Sequence, residues 1–345
     1  METGSLSANK SRVYDFIKVF DELLVVLLHI TAMYSPHAAI AQASSSRPLS
    51  LLYSCLAAAC MPVFMCICGA VYNYCISIGK YRDRLRFIGN KFMRLMVPYF
   101  VFSIFTVAPV VTRLGISEWS YGEFLLRGTL LGGMTRHLWF CLSLFCIFII
   151  CAVFRDSVQR LSPLIILPIV CVLSYVGSRW SSPYLQLHQT LYFTLYFYIG
   201  VLVDRYWDNF SAFIRKYRFI CAAAGIILFL SIALIDNYRY PAAFGAIILA
   251  FTVSAQINTD KPETFGIYRM LRRDSFGIYL THPMIIYVIF WLFRSTHADP
   301  YILSAVCFIC VIPLTVLITE IIRKLRLGVI IGEKTKKAHT DRKKA

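Results

Sequence analysis

A histidine and three charged side chains share one face of an otherwise apolar stretch near the start of the chain. Residues 15–33 contain the apolar run 23–30, which only His29 interrupts. Four polar side chains of this stretch lie within about 60° of one another if it is helical: Asp15, Lys18, Glu22 and His29. An ionisable side chain inside a membrane is costly, and it usually faces the interior of a helix bundle at a functional site. This face therefore indicates a site of chemistry, with a polar contact between two helices as the alternative.

A second histidine stands in a similar pattern near the end of the chain, within residues 274–283. Ser275, Tyr279 and His282 are spaced i, i+4 and i+7, so they share one helical face. Pro283 follows, and because proline has no N–H it frees a backbone carbonyl of the preceding turn. Two histidines on separate apolar segments, each with polar neighbours on its own face, predict a polar cavity inside a helix bundle.

Basic residues concentrate where the third apolar segment begins. They are Arg82, Arg84, Arg86, Lys91 and Arg94. Lys91 and Arg94 lie one turn apart on a helical face, and Arg94 stands within the apolar segment, four residues before Pro98. A cation at that place needs a partner, and an anionic ligand such as a phosphate group supplies one. We attribute Arg82 and Arg84 to membrane topology instead.

A fourth motif, His137-Leu138-Trp139-Phe140, stands at the start of another apolar segment. Tryptophan is enriched at the interface between membrane and water. The motif therefore has two interpretations, an interfacial aromatic belt or a part of a binding site.

The composition is that of a polytopic membrane protein. Of the 345 residues, 58% are hydrophobic and 15% are charged, whereas a soluble domain carries about 25% charged residues. The net charge of +17 resides in short segments between apolar runs, as membrane topology requires, and does not predict nucleic-acid binding. The twelve cysteines lie mostly in apolar runs, which favours packing as small hydrophobic residues over disulfides or a metal site.

Ten apolar segments have lengths suited to crossing a bilayer. They are residues 16–35, 50–76, 92–112, 137–154, 162–178, 190–204, 218–235, 241–257, 275–293 and 301–322. Residues 121–134 are semi-apolar, and we predict an interfacial or re-entrant helix there. The predicted fold is all-α, a polytopic transmembrane helix bundle.

The distribution of basic residues predicts the orientation of this bundle. If the N-terminus is cytoplasmic, 28 of the 35 Lys and Arg residues lie on the inside and seven on the outside, which places both termini in the cytoplasm. We predict a single domain, residues 1–345. It consists of a cytoplasmic N-terminus (1–14), a transmembrane bundle (15–322) and a basic cytoplasmic tail (323–345).

Taken together, the motifs resemble membrane-bound acyltransferase family 3, the integral membrane O-acyltransferases that modify bacterial surface glycans. The matching residues are Asp15-x-x-Lys18 with a ten-residue gap to His29, Lys91-x-x-Arg94 with Leu95, Pro98 and Tyr99, the 137–140 motif, and Ser275-x-x-Ile278-Tyr279-Leu280-x-His282-Pro283. The four motifs occur in order along the whole chain, and ten spans match the architecture of the family.

The resemblance implies transfer of an acyl group, most simply acetyl from the co-substrate acetyl-CoA, to a hydroxyl of a cell-surface or exported polysaccharide or its lipid-linked precursor. It implies His29 as general base or acyl carrier. The expected residues are His29, Lys18, Asp15, Glu22 and His282 for catalysis, Lys91, Arg94 and Arg86 for acyl-CoA, and Ser275, Tyr279, His137 and Trp139 for the substrate, with no metal or permanently bound cofactor. The expected location is the bacterial inner membrane. The expected partners are acyl-CoA, the glycan acceptor and the bilayer, and a homo-oligomer is compatible with the sequence.

Three features depart from the family pattern. Lys18 and Lys91 stand where many members have arginine, which keeps the charge but loses the bidentate hydrogen-bonding fork. Asp21 and Glu22 occupy positions that are usually small or apolar. The sequence contains no fused extracytoplasmic hydrolase-like domain, so we expect the membrane domain itself to complete the transfer.

A transporter or flippase without covalent chemistry is the competing interpretation. Buried charges and a proline-broken helix also suit a proton-coupled carrier. The absence of an inverted repeat and the position of the cation cluster on one side only favour the enzyme. A structural or regulatory membrane partner of a glycan-synthesis complex is a third interpretation.

Overall fold

The computed structural model describes residues 2–36, 38–133, 136–182, 184–234, 239–257 and 264–333, and over these residues the chain is helical with no β-strand. The helices are α1 (Glu2–Thr31), α2 (Arg47–Ser77), α3 (Arg84–Arg113), α4 (121–130), α5 (Trp139–Val153), α6 (Arg155–Arg160), α7 (Pro163–Arg179), α8 (Leu187–Arg205), α9 (Trp207–Lys216), α10 (Arg218–Leu234), α11 (Arg239–Gln256), α12 (Gly266–Phe293) and α13 (Pro300–Lys324). Three 3₁₀ turns cover Ala32–Tyr34, Arg136–Leu138 and Gly328–Ile331.

Over the described residues, all ten apolar segments singled out in the sequence are largely helical. Within the described ranges, five helical segments are long and apolar enough to cross a membrane, namely α2, α3, α5 together with the 3₁₀ turn before it (Arg136–Val153), α12 and α13. Two further apolar helices, Pro163–Arg179 and Arg218–Ser231, are shorter. The chain is therefore a multi-pass, all-α membrane protein, and the crossing of all ten helices stays a prediction.

The N-terminal half of α1 is anchored by Asp204, near the end of α8. Asp204 Oδ1 lies 2.7 Å from Lys10 Nζ and accepts a hydrogen bond from the Tyr14 hydroxyl at 2.9 Å. Asp204 Oδ2 accepts one from Asn73 Nδ2 at 2.8 Å. Burying a carboxylate is costly unless it is paired and hydrogen-bonded. These contacts therefore hold α1 against α2 and α8, and they fix the register of the polar face of α1.

Helix α3 is irregular because it contains two prolines. Two turns of π-helix, Phe92–Met96 and Ser103–Val107, come just before Pro98 and Pro109. Proline cannot donate to the carbonyl four residues earlier, and its ring crowds that carbonyl, so the helix widens there. The first widened turn carries Arg94.

Helix α4 lies against the middle of α3. The Tyr99 hydroxyl donates to the Thr129 carbonyl at 2.7 Å, and the hydroxyls of Ser103 and Thr129 lie 2.6 Å apart. Tyr99 lies about 21 Å along the α3 axis from Arg113, the last residue of α3, at ~1.5 Å per residue. The end of α4 therefore lies well away from the end of α3. Of the two predicted alternatives for this segment, the contacts favour the re-entrant helix.

After α13 the chain packs back onto the bundle. Ile331 is buried. Gly332 has φ 72°, and a Cβ atom on it would lie 2.6 Å from the carbonyl oxygen of Arg94. The Glu333 carboxylate accepts a hydrogen bond from Arg323 at 2.7 Å. The beginning of the predicted basic tail thus contacts the widened turn of α3, while residues from 334 onward lie outside the described residues.

Candidate active site

Helices α1 and α12 meet through contacts that recur every seven residues. Ser275 Oγ donates to Glu22 Oε2 at 2.9 Å. Seven residues further along both helices, His282 Nε2 lies 3.3 Å from His29 Nδ1. Because both partners advance by seven residues, the helices run parallel and in one register, as in heptad packing. The two polar faces singled out in the sequence therefore face each other.

Main-chain carbonyls determine which ring nitrogens of the two histidines carry hydrogen. His29 Nδ1 lies 2.9 Å from the Val25 carbonyl oxygen, and His282 Nδ1 lies 2.8 Å from that of Ile278. A carbonyl oxygen only accepts, so each Nδ1 carries the hydrogen and each Nε2 has a lone pair in the neutral ring. His282 Nε2 accordingly faces the Nδ1–H of His29. His29 Nε2 makes no hydrogen bond to any described residue and remains available as a base.

A third imidazole, that of His137, completes the cluster. Arg136 just before it has φ 50°, which turns the chain into α5. The ring centre of His137 lies 6.4 Å from that of His29 and 6.1 Å from that of His282. Its Nε2–H donates to the Leu280 carbonyl at 3.2 Å, while its buried Nδ1 has no partner among the residues described. The Nδ1 lone pair is thus free to accept a hydrogen bond from a substrate.

The hydroxyls of Ser275 and Tyr279 both donate to groups of the protein. Tyr279 donates to the main-chain carbonyl of His137 at 2.5 Å, and Ser275 donates to Glu22. The Tyr279 ring also stacks on Phe276, with ring centres 5.8 Å apart. Tyr279 therefore fixes the loop that carries His137. This positioning role was not apparent from the sequence, where Tyr279 was assigned to the substrate.

Three cations gather at the other end of the α1 face. Lys18, Lys91 and Arg94 all act electrostatically on the Cys68 thiol of α2, and Arg94 repels both lysines. Lys91 Nζ lies 3.9 Å from the centre of the Phe148 ring, and the Arg94 side chain is exposed. In the described parts of the chain none of the three cations forms an ion pair with a carboxylate. Such a concentration of positive charge attracts a polyanion.

Three further predicted site residues have contacts of a different kind. The Arg86 side chain is exposed and makes no described contact with the cation cluster. Asp15 pairs with Arg272 of α12 at 3.2 Å and also acts electrostatically on Lys18. Trp139 stacks on Phe193 of α8 with ring centres 5.2 Å apart, so it packs between helices.

Two consecutive acids of α1 are buried without full hydrogen bonding. Asp21 and Glu22 are each 3% exposed. Asp21 faces Cys60 of α2, and Glu22 faces Ser275 of α12. One oxygen of each, Asp21 Oδ2 and Glu22 Oε1, has no partner among the described residues. Orphaned buried polar atoms are rare and need an explanation.

The site offers acid–base chemistry and anion binding. Among the described residues, no group of three or more His, Cys, Asp or Glu side chains is arranged to hold a metal ion. Two of the imidazoles turn Nδ1 toward a main-chain carbonyl, and His137 turns Nε2 toward one.

This fold and site define an integral membrane protein with two histidines in contact between parallel helices and a cation cluster along the same face. The family model described as acyltransferase domain, that of acyltransferase family 3, matches residues 14–322. The protein therefore belongs to this family of membrane acyltransferases, which confirms the family predicted from the four motifs. The search of curated proteins and the search of solved structures gave no match.

Proposed function

We propose that the protein transfers an acyl group, most simply acetyl from acetyl-CoA, to a hydroxyl group of a bacterial surface or exported polysaccharide or its lipid-linked precursor. The observation that carries this proposal is the setting of His29. Its Nδ1 is held by the Val25 carbonyl at 2.9 Å and faced by His282 Nε2 at 3.3 Å, so Nε2 is presented as a base. A base held in this way is suited to activating a hydroxyl nucleophile.

In the proposed reaction, His29 Nε2 removes the proton of the acceptor hydroxyl while that oxygen attacks the thioester carbon. The C–S bond then breaks, and the CoA sulfur leaves with the electron pair and takes the proton back from His29. Between these steps the imidazolium keeps its Nδ1–H on the Val25 carbonyl and toward His282 Nε2. Both are acceptors, so they stabilise the charged ring, as the third member of a catalytic triad does for its histidine.

A covalent route uses the same geometry. His29 Nε2 attacks the thioester carbon, the C–S bond breaks and the CoA thiolate leaves. The acceptor hydroxyl oxygen then attacks the acyl carbon, the C–N bond breaks, and the hydroxyl proton passes to the released Nε2 and from there to the CoA thiolate. The two routes differ in whether label from acetyl-CoA becomes bound to the protein when no acceptor is added.

The cation cluster is the proposed binding site for the phosphates of the acyl-CoA donor. Lys18 and His29 lie on one face about 16 Å apart along α1. The phosphates of CoA would bind at Lys18, Lys91 and Arg94 while the thioester lies at His29. The buried Nδ1 of His137 would accept a hydrogen bond from the acceptor sugar. This arrangement fits the predicted topology of ten spans in the inner membrane with both termini cytoplasmic, because acyl-CoA is a cytoplasmic anion.

The proposal is tested with purified protein in lipid vesicles, supplied with labelled acetyl-CoA and a panel of free sugars. Wild-type protein is expected to release CoA and to label a sugar, whereas a transporter releases no CoA. The His29→Gln variant keeps a hydrogen-bonding side chain but no base, and a loss of about 10² to 10⁴ in rate is expected from general acid–base catalysis. Retention of more than about a tenth of the rate would exclude His29 as base or carrier. Arg82→Ala, outside the site, serves as the control.

A further inference from the structure

The Glu22 oxygen that lacks a hydrogen-bond partner in the described parts of the chain belongs to a residue between the cation cluster and His29 along α1. Glu22 Oε2 is held by Ser275, but Oε1 is enclosed and has no hydrogen-bond partner among the described residues. Lys18 lies one turn away and interacts with Glu22 electrostatically. Along α1, Glu22 stands about 6 Å from Lys18 and about 10 Å from His29, at ~1.5 Å per residue.

Asp21, the neighbouring acid, shows that a buried carboxylate of α1 does not necessarily face the site. Asp21 is equally buried and also has an orphaned oxygen, but it faces Cys60 on α2. Of these two acids, Glu22 is the one on the α1 face of Lys18 and His29, which lie about 40° and about 20° from it at ~100° per residue. Glu22 is therefore the acid that a ligand extending along this face would meet.

The chemistry of Glu22 Oε1 indicates which part of acyl-CoA it would bind. A carboxylate oxygen accepts hydrogen bonds and repels phosphate, so its partner is a neutral donor group. The pantetheine arm of CoA carries two amide N–H groups between the phosphates and the sulfur. The amide nitrogen nearer the phosphates is seven bonds from the sulfur, which is about 8 Å when extended, at ~3.5 Å for every three bonds. This length agrees with the separation of Glu22 and His29.

We propose that Glu22 is a donor-binding residue whose Oε1 accepts a hydrogen bond from the amide N–H nearer the phosphates in the pantetheine arm of acyl-CoA. This proposal rests on the proposed acyl transfer. Ser275 orients the carboxylate through Oε2, which leaves Oε1 directed to the arm. Since the helix pair encloses this oxygen, the arm enters by displacing neighbouring side chains. The amide contact would place the thioester carbon beside His29.

The test compares the dissociation constants of CoA and of adenosine 3′,5′-bisphosphate, which carries phosphates but no pantetheine arm, for the purified full-length protein in detergent. Glu22→Leu is expected to raise the Kd of CoA about tenfold or more, the usual effect of losing a hydrogen bond to a charged group. The Kd of the bisphosphate should not rise, because removing a negative charge near Lys18 favours phosphate binding. Glu22→Gln retains an acceptor oxygen and should keep most of the CoA affinity.

Asp21→Leu is the matched control, since it removes an equally buried, equally orphaned acid that faces α2. It should leave both dissociation constants unchanged. The proposal is overturned if Glu22→Leu leaves the Kd of CoA unchanged, if it weakens both ligands equally, or if the wild-type protein binds CoA no more tightly than the bisphosphate. These readouts are binding constants, so a failure of the proposed transfer, seen as no CoA release, is recognised separately.

Discussion

His282 Nε2 faces His29 Nδ1 at 3.3 Å, one heptad beyond the contact of Ser275 with Glu22. Helix α12 thus supplies the partner of the proposed base and the partner of the proposed donor-binding acid from the same face. Both contacts depend on the parallel register of α1 and α12. A slip of either helix by one residue would rotate its face by about 100° and separate both pairs.

This relationship predicts a rate effect for His282. In His282→Ala the ring that faces the Nδ1–H of His29 is removed, so the imidazolium formed during transfer loses one acceptor. A fall in kcat of about ten- to a hundredfold is expected from the loss of a hydrogen bond to a charged group, with little change in KM for acetyl-CoA. Steady-state kinetics of CoA release measure both constants. A rise in KM with kcat unchanged would show that His282 acts in donor binding instead.

Much of the fold was predictable because lipid imposes one simple rule. Backbone groups in a bilayer must be hydrogen-bonded within their own segment, so apolar runs of sufficient length become helices. The ten apolar runs are accordingly ten helices. The N-terminal extension of α1 was missed because its residues are polar and its anchor, Asp204, is remote in sequence.

The site was predictable only where residues share one helix. Helical periodicity brings together Lys18, Glu22 and His29, and likewise Ser275 and His282, without any knowledge of packing. The proximity of His137 to His29 depends on how α4 and α5 enter the bundle, and the sequence carries no local signal for it. The same holds for Tyr279, whose hydroxyl is satisfied by a main-chain carbonyl remote in sequence.

Topology provides an independent test. The bias of 28 to seven basic residues predicts that residue 45, between α1 and α2, and residue 340, which lies outside the described residues, are on opposite sides of the membrane. Reporter fusions at the two positions should give opposite signals. Equal signals would refute the model of ten spans, and with it the assignment of the cation cluster to the cytoplasmic side.

The contact of Gly332 with the turn of Arg94 predicts that the C-terminal segment supports the donor site. In Gly332→Ala the new Cβ would lie 2.6 Å from the Arg94 carbonyl oxygen and 2.9 Å from the Phe276 ring, at φ 72°. We expect a lower thermal midpoint and a higher KM for acetyl-CoA.

Gly115→Ala is the matched control for this prediction, because Gly115 has φ 67° but nothing within 4 Å of the added Cβ. It should cost only the strain of the left-handed conformation, ~1 kcal/mol or more, and leave KM unchanged. If the two variants change the KM for acetyl-CoA equally, the contact of residue 332 with Arg94 is not the cause of the change.

The last prediction concerns the phosphate clamp itself. Arg94 is exposed on the widened turn of α3, beside Lys91 and without an ion-pair partner in the described ranges. If Lys91 and Arg94 bind the CoA phosphates, wild-type protein should strongly prefer acetyl-CoA over acetyl-pantetheine. Arg94→Ala should shrink that preference by weakening the use of acetyl-CoA roughly ten- to a hundredfold, since each hydrogen bond between charged groups contributes about 1.5–3 kcal/mol.

The comparison of donors makes this test specific to phosphate. Acetyl-pantetheine lacks the phosphates, so its rate should hardly change in Arg94→Ala. Arg82→Ala removes a nearby cation that we assign to topology, and the ratio of the two donors should stay at its wild-type value. If Arg94→Ala weakens both donors equally, Arg94 supports the fold or the acceptor. The phosphates would then bind to other basic residues. Arg273 is less suited to bind them, because it is already paired with Asp274 and Glu320.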